Sequence, residues 1–265
     1  MRTKNGLKLI WIFALAMATG LSAQQLDMEL LKGMEPRNIG PAGMSGRITA
    51  IDVVESNTQI IYAGSASGGL WKSVSGGVTW DPIFDEYGAA SVGAIDIYQN
   101  NPSIVWVGTG EGNPRNSQTS GRGVYKSIDG GRTFELMGLE ETRNIHRVII
   151  DPTNPEVVYV GAQGSAWGES EHRGVYKTTD GGKSWNKILY VDSNTGVGEM
   201  VMDPTNPNKL LVNMWQFRRW PWFFESGGPN TGLHMTLDGG ETWKKLTSDD
   251  GLPEGDLGRM GLAIA

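Results

Sequence analysis

Short runs in which apolar and polar side chains alternate recur along most of this chain. Residues 91–97 are the clearest case. A period of two predicts a half-buried β-strand, and no segment shows the 3.6-residue period of a long amphipathic helix. A turn at Asn100-Asn101-Pro102 follows, and then come three further predicted strands at residues 104–108, 123–127 and 133–137. Four strands joined as a meander form one sheet unit.

The unit recurs, and its marker is the run Ser/Thr-x-Asp-Gly-Gly-x-Thr/Ser-aromatic. The third positions of the four runs lie 54, 51 and 58 residues apart, at Ser75, Asp129, Asp180 and Asp238. This period is typical of propeller blades. We therefore predict an all-β propeller of four-stranded antiparallel blades over residues 46–265. It has about four blades, and residues 258–265 are predicted to begin a fifth, so the propeller is expected to continue beyond them.

The repeated runs are expected to hold the blades together. An Asp between a strand and two glycines can accept hydrogen bonds from the amides of its own turn, and the aromatic residue that ends the run can pack between sheets. The first run has a Ser in place of Asp and can supply no carboxylate. The residues of this structural set are Ser75, Asp129, Asp180, Asp238, Trp80, Phe134, Trp185 and Trp243.

The first 23 residues have the pattern of a secretory signal peptide. Three cationic residues precede an apolar stretch at residues 9–21, and the small pair Ser22-Ala23 follows. That stretch is too short to span a bilayer as a helix. We expect cleavage after Ala23, which leaves residues 24–45 as a lead-in to the propeller. The mature protein is then periplasmic, on the cell surface or secreted from a bacterium, without membrane insertion; an uncleaved anchor is the alternative.

Charge and composition narrow the classes of partner. The chain has 23 Lys and Arg against 29 Asp and Glu, a net charge of −6, which repels nucleic acid. It has no Cys, so it can form neither a disulfide nor a thiolate metal site. The three His (His146, His172 and His234) lack metal-ligand spacing. We predict no metal and no cofactor.

Meander connectivity places the long loops on the rim opposite the repeated runs, where binding sites usually lie. Residues 215–225 are the most unusual stretch there, with six aromatic residues, two Arg and one Glu. It is predicted to be a loop that stacks on sugar rings or on aromatic residues of a peptide, and the alternative is that it packs against further blades or a neighbouring domain. The candidate ligand-binding residues are Trp215, Phe217, Arg218, Arg219, Trp220 and Trp222, with Arg115 from residues 110–117.

Carboxylates in two of the long loops are weak candidates for catalysis. Glu111 lies in one loop, and Glu169 and Glu171 lie in the corresponding loop of the next unit. Glycoside hydrolysis needs two carboxylates across a defined gap, which these residues could supply. Their spacing of about one blade is equally what solvated loop residues would show.

The repeated runs resemble the Asp-boxes, or BNR repeats, of a group of β-propellers. That group includes sialidases, xyloglucan-active glycoside hydrolases, a photosystem assembly factor and the sortilin/Vps10 receptors. The turn Asp-Pro-Thr-Asn-Pro, at residues 151–155 and 203–207, and the strand Gly-Val-Tyr-Lys before the box are most similar to sortilin/Vps10-like propellers of exported bacterial proteins.

The resemblance implies a non-catalytic module that binds a peptide or a polysaccharide, with further blades and downstream domains of the same chain as its other partners. The alternative is the N-terminal part of a glycoside hydrolase. A sialidase would have an arginine triad and a Tyr nucleophile, which we cannot place here. A xyloglucan hydrolase would have two catalytic Asp residues in a cleft between two propellers. We expect ligand binding rather than catalysis.

Overall fold

The computed structural model describes residues 47–264. The predicted signal peptide (residues 1–23) and lead-in (residues 24–45) lie outside the described residues. Within the described part, no helix is long and apolar enough to cross a membrane.

The first two sheets are four-stranded antiparallel meanders, each in the order of the chain. Blade one consists of β1 (Ile48–Val53), β2 (Ile61–Ser65), β3 (Leu70–Ser73) and β4 (Asp81–Pro82). Blade two consists of β5 (Val92–Ile97), β6 (Val105–Thr109), β7 (Val124–Ser127) and β8 (Glu135–Leu136).

Blades three and four repeat this order, and blade four carries one additional strand. Blade three consists of β9 (Ile145–Asp151), β10 (Asn154–Ala162), β11 (Gly174–Thr178) and β12 (Asn186–Leu189). Blade four consists of β13 (Thr195–Asp203), β14 (Asn206–Arg219), β16 (Gly232–Thr236) and β17 (Lys244–Leu246), and β15 (Phe224–Ser226) pairs with the end of β14. Helical structure in the described residues is limited to the 3₁₀ turns Glu140–Thr142 and Ser248–Asp250. The predicted all-β fold is confirmed.

Successive blades pack face to face because the first strand of each blade lies on the second strand of the preceding one. At Gly108 an added Cβ would lie 2.4 Å from Cγ2 of Ile145, so this position must be glycine for β9 to approach β6. An added Cβ at Gly64 would likewise lie 2.4 Å from Cγ1 of Val92, between β2 and β5. Buried apolar clusters fill the space between successive blades. Burial of this apolar surface is the main force that holds the blades together.

Two buried carboxyl groups also join neighbouring blades. Asp52 accepts a hydrogen bond from the Ile97 amide at 2.8 Å, and Asp96 accepts one from the Ile150 amide at 2.5 Å. Burial raises the pKa of Asp52 to about 6 and that of Asp96 to about 8, because desolvation disfavours the charged form more than these hydrogen bonds favour it.

Two predicted segments differ in the structure. Residues 215–219, predicted as part of a loop, belong to β14, because Trp215 and Gln216 pair with β13 and residues 217–219 pair with β15. Residues 258–264, predicted as the first strand of a fifth blade, are not a strand, because none of the described strands pairs with them. Leu257, just before this segment, forms a bridge with Gly228, and within the segment the Met260 amide donates a hydrogen bond to the Asn213 side chain.

Candidate functional site

The aromatic stretch of the sequence forms a β-hairpin that projects from blade four. Arg218 pairs with Glu225 and Arg219 with Phe224 across its two strands. Trp220 and Phe223 close the turn with two backbone hydrogen bonds, of 2.8 and 3.3 Å, around Pro221 and Trp222. Proline favours such a turn because its φ angle is already fixed near the required value.

One face of the hairpin is buried. Trp215 stacks on Phe217, with ring centroids 4.5 Å apart, and both side chains pack against Ala166. The buried Arg173 places its guanidinium 4.6 Å from the Phe217 ring and donates hydrogen bonds to four backbone carbonyls, those of Gln163, Asn194, Ser165 and Gly168. Burial lowers the pKa of Arg173 to about 10. Trp215 and Phe217, which were predicted to bind a ligand, therefore support the hairpin from below.

The other face is exposed, and we call its residues Arg218, Trp220, Trp222 and Phe223 the hairpin platform. Trp222 is 83% exposed, Phe223 58% and Trp220 40%. The Trp220 and Trp222 rings are stacked at 6.3 Å with an angle of 26° between their planes. The Arg218 guanidinium lies 4.6 Å from the Trp220 ring. The hairpin platform is thus an aromatic surface with a cation at its edge.

Two neighbouring loops contact the hairpin. The Arg219 amide donates to the Ala166 carbonyl at 2.8 Å, which places the exposed Trp167 in the adjoining loop. Arg219 also lies 5.0 Å from the Phe224 ring and donates from Nε to the Asn116 side chain at 2.7 Å. This last contact brings the blade-two loop that carries the exposed Arg115 to the hairpin. Two of the predicted binding segments therefore meet.

The three candidate catalytic carboxylates have different surroundings. Glu111 is fully buried, and both of its carboxylate oxygens lie 2.5 Å from Nη2 of Arg47. Glu169 and Glu171 are exposed in one loop, where they contact the hydroxyls of Ser193 at 3.4 Å and Tyr190 at 3.1 Å respectively. A catalytic role for these residues stays a prediction.

A group of charged residues that we did not predict from the sequence lies at β9 and β13, the first strands of blades three and four. Arg147 forms a two-pronged ion pair with Glu199, at 2.5 and 2.7 Å. Arg259 lies 2.7 Å from Nε2 of His146. Burial holds the pKa of His146 well below its usual value, so the imidazole is neutral and accepts this hydrogen bond. A Gly-Arg dipeptide contains Arg259, but the same dipeptide occurs at 46–47, 121–122 and 131–132, so no signal specific to this group was available in the sequence.

The Asp-boxes have structural contacts. Asp129 accepts hydrogen bonds from the Thr133 amide and hydroxyl at 2.9 and 2.7 Å, which help to hold its pKa at about 2. In box one, Ser75 accepts from the Thr79 amide at 2.9 Å. The Gly130 carbonyl of box two accepts bonds from Tyr62 and Lys72 of the preceding blade, each at 2.8 Å. Of the box aromatics, Phe134 belongs to a core cluster, Trp185 and Trp243 pack against others, and Trp80 is half-buried.

No group of three His, Cys, Asp or Glu side chains in the described part of the chain could hold a metal ion. The residue types at the hairpin are instead those that bind organic rings and anions. Aromatic rings supply the stacking surface, and the guanidiniums supply fixed positive charge.

Comparison with known proteins identifies related repeats. The family model for sortilin, described as "Sortilin, neurotensin receptor 3", matches residues 122–251. The chain is 25% identical over 233 residues to a xyloglucanase of Paenibacillus sp, which covers 76% of this chain and 21% of the relative. It is 26% identical over 257 residues to xyloglucanase Xgh74A of Acetivibrio thermocellus, which covers 85% of this chain and 28% of the relative.

The fold is also that of a solved structure, the GH74 enzyme of Niastella koreensis. The TM-score is 0.55 at 22% identity, with 74% of this chain and 29% of that chain covered. The chain spans less than a third of the length of these relatives. The predicted resemblance to sortilin/Vps10-like Asp-box β-propellers is confirmed, and residues 122–251 are the part of the chain that carries the family match.

Proposed function

We propose that this chain supplies a polysaccharide-binding surface of an exported glycoside hydrolase. The observation that carries the proposal is the stacked pair Trp220 and Trp222, exposed on a hairpin that a buried aromatic face holds in place. Flat aromatic surfaces of this kind stack on the apolar faces of sugar rings. Two curated relatives are xyloglucanases by name, which supports a glycan ligand. This similarity favours the hydrolase alternative over the receptor-like module that we expected first.

We assign glycan binding to the described blades and hydrolysis to the longer protein. The resemblance to xyloglucan hydrolases implies two catalytic Asp residues in a cleft between two propellers, and residues 47–264 supply four blades only. Glu111 is buried in an ion pair, whereas Glu169 and Glu171 are accessible to a glycan. Export is proposed from the pattern of residues 1–23 alone.

The test measures binding and cleavage of xyloglucan by the full-length protein. Affinity electrophoresis gives the dissociation constant, and release of reducing ends gives the rate of hydrolysis. Trp222→Ala should weaken binding about tenfold, because it removes half of the stacking surface. Val78→Ala is the matched control, because Val78 is 82% exposed and adjoins the Asp-box turn of blade one. It should leave binding unchanged.

Binding with cleavage establishes the hydrolase, and binding without cleavage returns the function to a ligand-binding module. The proposed site is refuted if Trp222→Ala binds as tightly as the unaltered protein while both proteins have the same melting temperature.

A further inference from the structure

Three arginines at the hairpin have no ion-pair partner among the residues that the structure describes: Arg173, Arg218 and Arg219. Arg47 and Arg147, in contrast, are paired with Glu111 and Glu199. The sequence contains more acidic than basic residues, so carboxylates are not scarce. Other described arginines, such as Arg122 and Arg132, also lack an ion pair with a described residue, but these three lie together at one hairpin of an acidic protein, and this grouping favours a negatively charged ligand there.

Arg218 is the residue best placed to receive that group. Its guanidinium lies over Trp220, and none of its hydrogen bonds goes to a described residue. Stacking uses the face of the guanidinium and leaves the N–H groups in its plane free to donate. Nε is buried without a partner, so the terminal N–H groups are the ones available to a ligand. Glu225 is the cross-strand partner of Arg218, yet its carboxylate is not within the 4.0 Å of an ion pair.

The other two guanidiniums are more engaged. Arg173 is buried beneath the hairpin with four carbonyl acceptors, so it adds positive potential but no exposed donor. Arg219 stacks on Phe224 and donates from Nε to Asn116, which leaves only its terminal N–H groups as a second set of donors. Arg218 is the planar cation that stacks directly on an aromatic ring of the hairpin platform.

Building on the proposed function, we propose that the hairpin platform binds polysaccharides that carry uronic acids. A uronic acid combines a ring that stacks on an aromatic surface with a planar carboxylate, which a guanidinium binds through two parallel hydrogen bonds. A neutral sugar has only hydroxyl groups and gives Arg218 no counter-charge. The carboxylate of the sugar forms with Arg218 the ion pair that Glu225 does not form.

The experiment compares one polymer in two forms. Polygalacturonate and its carboxyl-reduced derivative have the same backbone and differ in the carboxylate alone. The full-length protein should bind the native polymer about tenfold or more tightly than the reduced one, which is the range of a charge-assisted hydrogen bond. Arg218→Gln should abolish this difference and leave binding of the reduced polymer unchanged. Trp222→Ala should weaken binding of both forms.

Glu225→Gln is the matched control on the same hairpin. It removes a carboxylate next to Arg218, so binding of the native polymer should be no weaker than in the unaltered protein. Circular dichroism and melting temperature check that every variant folds.

The outcomes separate this inference from the proposed function. If the protein binds native and carboxyl-reduced polygalacturonate with equal affinity, the uronate inference is overturned. If Trp222→Ala still weakens xyloglucan binding in that case, the proposed glycan site stands. Failure to bind any of the three glycans overturns both. The inference is also overturned if dextran sulfate binds as tightly as polygalacturonate. It is overturned as well if no glycan binds and an acidic peptide binds in a way that depends on Arg218.

Discussion

Asp96 joins blades two and three through a buried carboxyl group. Its replacement by Asn should make the protein more stable at neutral pH. Burial raises its pKa from 3.8 to about 8 in the folded protein. Between these values the folded state retains a proton that the unfolded state has released, so stability falls as pH rises from about 4 to about 8. Each pH unit of this window costs about 1.4 kcal/mol of stability, which sums to an upper limit on the order of 6 kcal/mol.

Asn can accept the same hydrogen bond from the Ile150 amide, which Asp96 now accepts at 2.5 Å. Asp96→Asn should therefore match the unaltered protein at pH 4.5 and exceed its stability by a few kcal/mol at pH 8. Urea unfolding followed by tryptophan fluorescence at both pH values measures the difference. Groups that do not interact with Asp96, including the buried His146, affect both proteins alike and cancel; Asp52, whose charge helps to raise the Asp96 pKa, is the exception. Parallel stability curves for the two proteins across this range would falsify the reasoning.

Two further pairs of substitutions test how the blades are held. Ser75→Asp should raise the melting temperature by completing the first Asp-box, and Asp129→Ser should lower it because one hydroxyl replaces the two carboxylate oxygens that accept from the Thr133 amide and hydroxyl. Opposite signs in differential scanning calorimetry are required. Gly108→Ala should destabilise the protein by about 1–3 kcal/mol or more, because its Cβ would lie 2.4 Å from Ile145. Gly258→Ala, which has open space around it, should leave the free energy of urea unfolding unchanged. Equal effects of the two substitutions would contradict the close packing of blades.

The repeat made the fold predictable, because each blade has its own turn residues and strand pattern. The predicted strands at residues 91–97 and 104–108 overlap β5 and β6 almost completely. The hairpin of blade four was not predictable as a hairpin. Aromatic residues on both faces hide the alternation that indicates a strand, and the pairing of Arg218 with Glu225 is what extends it.

The contacts that shape the candidate site join residues far apart in the sequence, which is why the sequence could not predict them. Asn116 and Arg219 are 103 residues apart, and His146 and Arg259 are 113 apart. The sequence indicated that Glu111 was an accessible acid, because a loop residue is usually solvated. Only the arrangement of blades one and two shows that it is buried against Arg47.

The β-hairpin also explains how the side chains of the hairpin platform are held in place on a rim made of loops. A loop with six aromatic residues would collapse, because exposed apolar side chains gain by packing on one another. Extension of β14 separates its side chains into two faces. Trp215 and Phe217 supply the buried face, so Trp220 and Trp222 can stay exposed beside Arg218. The buried aromatic residues thus pre-organise the exposed ones, which would lower the entropic cost of binding the proposed glycan.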